Sequence, residues 1–254
     1  MELGIQKDIQ SIAWNSGWEV DPVFLPDGDS AELSSALHLF TAIVAFRSGQ
    51  GFSLSFPSSL LQTEVERVFE GPFLKPITDA DVLRSMLSKA SILATSLPDS
   101  PVLEFENALS TITLDETEVR REVEQRVGQD IYRKHLLQYW NGHCALTGIS
   151  EKALLKASHA KPWKDCTSAE ERLSVFNGFL LEARFDALFD VGLITFDNTG
   201  LLLASETLSF GTKQKLGIVA GMKLRWIREE HLPFLYWHQR QVFTDSLPIG
   251  GFNK

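Results

Sequence analysis

A chain of 254 residues, 44% hydrophobic and 22% charged, can bury a real core and reads as globular, with one large or two smaller domains. No run approaches the ~20 apolar residues of a membrane span, Met1–Asp8 lacks a secretory signal pattern, and the two cysteines, Cys144 and Cys166, exclude a disulfide framework and a four-cysteine zinc site. A cytoplasmic protein is expected. The net charge of -9 is unevenly placed: residues 1–110 hold 6 Lys and Arg against 15 Asp and Glu, whereas residues 111–254 hold 18 of each.

Residues 1–110 pattern as a smaller mixed α/β domain. Ile9–Trp18 predicts a short amphipathic helix, and Leu33–Val44 an apolar element of either type. Ser48-Gly49-Gln50-Gly51 is a turn signal, and Phe52–Phe56 alternates strictly, which predicts a strand. Helices follow at Leu60–Phe69 and Asp79–Ala94. Leu97-Pro98-Asp99-Ser100-Pro101 reads as a linker, and the domain boundary is placed at 110/111.

Asp115-Glu116-Thr117-Glu118 opens a long helix, with Asp115 as N-cap. Val119, Val123, Val127 and Ile131 are expected to mark its buried side, and Asn141-Gly142 its end. Short strands are predicted at Cys144–Leu146 and Leu154–Ala160, with a turn at Thr147-Gly148. A hairpin is expected with Leu193–Phe196 and Leu201–Ala204 as its strands, and a last helix over Glu229–Phe243.

The residues that carry chemistry lie between Ala157 and Asp190: Ala157-Ser158-His159-Ala160-Lys161-Pro162-Trp163, Asn177-Gly178, and Asp186 with Asp190. Phosphodiester hydrolysis needs an activated water and a cation to offset developing charge. A histidine can take the proton from water. Two aspartates four residues apart share one face of a helix and can hold a hard cation that keeps most of its waters. Asn177 can orient the imidazole or tie down its loop through its amide. Tyr132–Lys164 carries six basic residues (Arg133, Lys134, Lys152, Lys156, Lys161, Lys164) against Glu151, a strip suited to a phosphate backbone.

This part resembles the HNH nuclease family, in the branch common among bacterial restriction-type proteins. The likeness runs through Gly128-Gln129, Tyr132-Arg133, Leu136-Leu137, Cys144–Gly148, Ala157-Ser158-His159, Lys161-Pro162-Trp163, Asn177-Gly178, Phe185–Asp190, Gly192–Phe196 and Trp237–Arg240. The fold class implied is α+β: a C-terminal ββα-metal HNH domain with flanking helices at 111–254, after the smaller mixed α/β domain. The resemblance makes His159 the general base and Asn177 the middle asparagine. Asp186 falls where the family usually has its last metal-binding histidine, and Asp190 where some members add a ligand. Ser158 stands in the place of the usual ligand before the catalytic histidine, and the Cys-x-x-Cys zinc pairs are absent. The metal is then expected on Asp186 and Asp190 with more waters, Mg²⁺ foremost or Mn²⁺, and no structural zinc is expected.

The reading is a metal-dependent DNA endonuclease in restriction or defence against foreign DNA, with Lys161 and Lys164 as phosphate contacts. One such site cuts one strand, so double-strand cleavage calls for a homodimer or two nicks. The alternatives are a DNA- or partner-binding module on the same fold that has lost turnover, and a hydrolase acting on RNA. The acidic part admits three roles: DNA recognition, with Trp14, Trp18, Phe46, Phe52 and Phe56 as a stacking pocket, a protein partner, or a cover over the basic strip. Its charge favours the last two. His135, His231 and His238 are expected to be structural, and Trp163 a core or strand-end anchor.

Overall fold

The computed structural model describes residues 2–71, 75–111 and 117–244. They form two compact units, Met1–Leu103 and Glu104–Lys254.

The first unit is a four-stranded antiparallel meander, β1 (Val20–Phe24), β2 (Ser30–Ser34), β3 (Ala42–Arg47) and β4 (Gly51–Ser55), with helices α1 (Leu3–Trp14), α2 (Ser59–Val68) and α3 (Ala80–Ser96). The helix expected at Ile9–Trp18 starts earlier and stops at Trp14, because Gly17 takes a left-handed conformation (φ 82°) that breaks the turn. The Leu33–Val44 stretch resolves into β2, β3 and the loop between them. Of the five aromatics offered for a stacking pocket, Trp18, Phe52 and Phe56 are buried in the core and Phe46 is half-buried, and the Trp18 indole N–H donates to the Leu87 carbonyl at 3.0 Å. Trp14 lies exposed at the end of α1.

Leu97–Pro101 is not an open linker. Asp99 turns the chain with φ 78°, Ser100 is buried with its hydroxyl donating to the Ala94 carbonyl, and α4 (Ser100–Ser110) begins there. Proline is tolerated in a first turn, where its missing N–H has no partner to lose.

The second unit takes in α4 from Glu104 onward and then α5 (Thr117–Tyr139), and the Asp115 cap lies outside the described residues. Only the end of the predicted stripe is buried: Val119 is exposed, Val123 and Val127 are half-buried, and Ile131 is buried together with Gly128, Tyr132, His135, Leu136 and Tyr139. A four-residue repeat on a helix of 3.6 residues per turn drifts by about 40° each step, so the stripe does not stay on one face. Asn141 and Gly142, both at positive φ, end the helix as expected.

Cys144–Leu146 forms a turn rather than a strand. The Cys144 thiol sulfur accepts from the Thr147 and Glu182 N–H groups, both at 3.3 Å, which curls the backbone around it. After it come β5 (Leu155–His159), α6 (Ala169–Leu173), β6 (Gly178–Glu182) and α7 (Ala183–Asp190). A hairpin β7 (Ile194–Phe196) and β8 (Leu202–Ala204) follows, then α8 (Phe210–Lys215) and α9 (Leu232–Gln241). Phe179, Phe185, Phe189 and Phe196 fill the core beneath α7, where the His231 ring stacks on Phe179 and the His238 ring on Phe189.

Candidate active site

β5 and β6 pair antiparallel with His159 opposite Gly178 and Ser158 opposite Phe179. A Cβ at Gly178 (φ 155°) would overlap the Ser158 carbonyl and the Tyr132 hydroxyl, so only glycine lets the strands close here. The chain passes from β6 straight into α7, which folds back on β5. The Ser158 hydroxyl donates to the Asp186 carboxylate across that contact.

His159 sits at the end of β5. Its Nε2 lies 2.9 Å from the Arg172 carbonyl. A carbonyl only accepts, so Nε2 carries the proton and Nδ1 keeps its lone pair. The ring stacks on Tyr132, with centroids 3.8 Å apart and planes at 20°, and meets Trp163 edge-on. Burial pushes its pKa down to about 4, so the imidazole is neutral and able to accept a proton throughout the neutral range.

Of the two roles open to Asn177, the structure shows the loop tie. Its side chain is wholly buried: Oδ1 accepts from the Lys161 N–H at 2.8 Å, and Nδ2 lies within bonding distance of the Lys161 carbonyl, the Glu171 carbonyl and the Cys166 sulfur. The amide is used up inside the β5–β6 connection and does not line the cavity beside His159. The Asn177 side chain thus ties the Lys161–Glu171 loop together and lies away from the cavity wall.

Asp186 and Asp190 lie one turn apart on α7, as their spacing predicted. Asp190 is raised to about 6, first by loss of hydration and then by the Asp186 charge, although much of the residue remains exposed. Repulsion of this kind is relieved by a cation. The donors on this face are two carboxylates, with the Ser158 hydroxyl bonded to Asp186, which fits a hard divalent ion that keeps most of its water. Among the described residues no three His, Cys, Asp or Glu side chains converge on one point, so the protein builds no closed cage.

A cavity of about 340 Å³ is lined by Ser158, His159, Asp190, Trp163, Gln129 and His238 among others, and Asp186 is not part of its wall. Sequence reasoning missed Tyr132 and Arg172 as parts of the site. Tyr132 stood in the quoted pattern without a role, and Arg172 acts through a main-chain carbonyl, which side-chain chemistry cannot reveal. His238 was expected to be structural; it lines the cavity, yet both ring nitrogens are engaged, with Thr195 and the Phe189 carbonyl.

The basic strip is partly spent on the fold. Arg133 donates to the Leu155 carbonyl, Lys134 pairs with Glu104, and the Lys161 ammonium meets both oxygens of Glu171 at 2.9 and 2.7 Å. Lys152, Lys156 and Lys164 are exposed, and none of them has an ion pair among the described residues.

No curated protein matches this chain. Residues 144–197, from the cysteine turn to the end of the β7 strand, match a family model described as HNH endonuclease.

Proposed function

We propose that this protein is a metal-dependent DNA endonuclease acting in restriction or defence against foreign DNA. The observation that carries the reading is the state of His159: neutral, with Nε2–H on the Arg172 carbonyl, no hydrogen bond to Nδ1 among the described residues, and a place in the wall of a cavity that Ser158 and Asp190 share. The match at residues 144–197 supports the nuclease chemistry. The restriction role rests on the sequence resemblance.

In this reading His159 Nδ1 takes a proton from water as the water oxygen bonds to phosphorus and the opposite P–O bond breaks. Tyr132, Trp163 and the Arg172 carbonyl keep the ring in place during that transfer. Asp186 and Asp190 would hold the cation, Mg²⁺ or Mn²⁺, and Ser158 orients Asp186. When bound, such a cation offsets charge on the phosphate and the leaving oxygen. Lys164 would contact the DNA backbone, whereas Lys161 serves the loop through Glu171. A homodimer would place two such sites on opposite strands. The acidic N-terminal unit, poor in the cations that non-specific phosphate affinity requires, would bind a protein partner or restrain the nuclease.

Plasmid nicking with Mg²⁺ or Mn²⁺, with the His159→Ala variant beside the parent, tests this. Nicking by the parent alone is the expected result, and equal activity in both proteins rejects the role given to His159. A second reading, a binding module without turnover, is favoured by one observation: the Ser158 hydroxyl is engaged with Asp186, so the metal gains no strong ligand from β5. DNA binding without cleavage under any divalent ion would establish it. RNA offered beside DNA decides between the two substrates.

A further inference from the structure

We propose that Tyr132 is the positioning residue that holds the His159 imidazole in one orientation and one tautomer; this rests on the reading of His159 as the base. Tyr132 projects from α5, is 1% exposed, and touches the site in two ways at once. Its ring covers one face of the imidazole at 3.8 Å. Its hydroxyl reaches the carbonyls of Ser158 at 3.3 Å and Asn177 at 3.1 Å, the residues just before His159 and Gly178. One side chain therefore anchors both the ring of the base and the backbone that carries it.

The rest of the fold is shaped around this contact. Gly178 leaves the slot in which the hydroxyl sits, since any Cβ there would overlap it. Asn177 O also accepts from the Ala160 N–H at 3.0 Å, so the same carbonyl joins the strand pair to α5. Burial holds the phenol well above its ordinary pKa, which keeps the hydroxyl proton available to donate.

The imidazole χ2 torsion is broad and roughly two-fold, so a histidine on a strand end can turn over, exchanging Nδ1 with Cδ2 and Nε2 with Cε1. A turned ring would put Cδ2–H where Nδ1 stands, with no lone pair to accept a proton there, and Cε1–H on the Arg172 carbonyl, so nothing would hold the proton on Nε2. The Arg172 carbonyl favours the productive tautomer, and the Tyr132 ring leaves no room for the turn. A leucine of similar reach would fill the space without the flat face or the hydroxyl anchor.

The test uses the full chain labelled with ¹⁵N-histidine, as parent, Tyr132→Phe and Tyr132→Leu. Nitrogen chemical shifts report the tautomer, and plasmid cleavage gives kcat and KM separately. The parent is expected to show His159 purely as the Nε2–H form. Tyr132→Leu should show both tautomers and lose about 100-fold in kcat at unchanged KM, the scale of a misplacement near 1 Å. Tyr132→Phe, which keeps the stack and loses the anchor, should fall between the two.

A folded Tyr132→Leu protein with the parent's tautomer and kcat overturns the proposal. If that variant does not fold, Tyr132→Phe decides: a parental tautomer and parental kcat overturn it, and exchange broadening with reduced kcat at constant KM supports it. If the parent cleaves neither DNA nor RNA, the nuclease reading fails, while the nitrogen shifts still decide whether Tyr132 fixes the ring.

Discussion

Gly128 and Trp163 meet so closely that a Cβ on residue 128 would fall inside the indole, with Cζ2 and Cζ3 only 2.9 Å away. A glycine in the interior of a helix normally costs about 0.5–1 kcal/mol relative to alanine. Here it lets Trp163 lie against α5, edge-on to His159 and beneath the Arg172 guanidinium, so α5 reaches the site through a missing side chain.

Gly128→Ala should therefore destabilise the protein by about 1–3 kcal/mol, the range for overpacking, against its helix propensity. Adding Trp163→Leu should recover part of that loss. Urea unfolding of the two single variants and the double variant measures the coupling, and a stabilised Gly128→Ala protein would contradict the account.

Acidification should weaken the fold between about pH 6.5 and 4. Burial holds His159 and His238 near 4 and also lowers His38 and His135. The unfolded chain, with ordinary histidines, binds more protons in that window, so stability falls as pH falls. Asp190, raised to about 6, acts in the opposite sense and offsets one histidine. Urea midpoints at pH 7.5, 5.5 and 4.5 should decline, and His238→Gln should flatten the decline if it folds.

Metal affinity should depend on both aspartates. Asp186→Ala and Asp190→Ala should each weaken Mg²⁺ binding by at least about tenfold in calorimetry, each removing one of two carboxylate donors. Affinity should also fall below pH 6 as Asp190 takes a proton. A chelator should abolish cleavage and leave the fold intact, because the β5–β6–α7 core closes on its own phenylalanines.

The two lysines first read as phosphate contacts should separate. Lys164→Gln should weaken DNA binding and lower the slope of log affinity against log salt by about 0.9, the loss of one phosphate contact. Lys161→Gln should leave that slope unchanged and cost about 1 kcal/mol of stability, since its ammonium already sits on Glu171.

Asn177→Ala should be more damaging than either lysine change. It strands the Lys161 N–H and the carbonyls of Lys161 and Glu171 inside a buried loop, an expected loss of about 2–4 kcal/mol. Thermal unfolding measures it. Because the Asn177 amide is engaged in the loop and does not line the cavity, folded Asn177→Ala protein at low temperature should retain part of its kcat.

The amino-acid sequence determined the parts of this protein that local spacing controls. The Phe52–Phe56 alternation, the β7–β8 hairpin around Asp197–Gly200, the end of α5 at Asn141-Gly142 and the shared face of Asp186 and Asp190 all follow from period, turn chemistry and helix geometry. It also set out the stretch from His159 to Asp190 as the candidate site, within the segment that matches the HNH endonuclease model. Tertiary structure alone decided which lysine is free, whether Asn177 faces the loop or the cavity, and which nitrogen of His159 keeps its lone pair. Those outcomes depend on groups far apart in the chain, such as Tyr132, or on main-chain atoms, such as the Arg172 carbonyl. The Cys144 turn misled for the same reason, and the valine stripe of α5 held only towards its Ile131 end. Their local patterns are genuine, but burial is assigned by the partner surface, and only the folded chain supplies one.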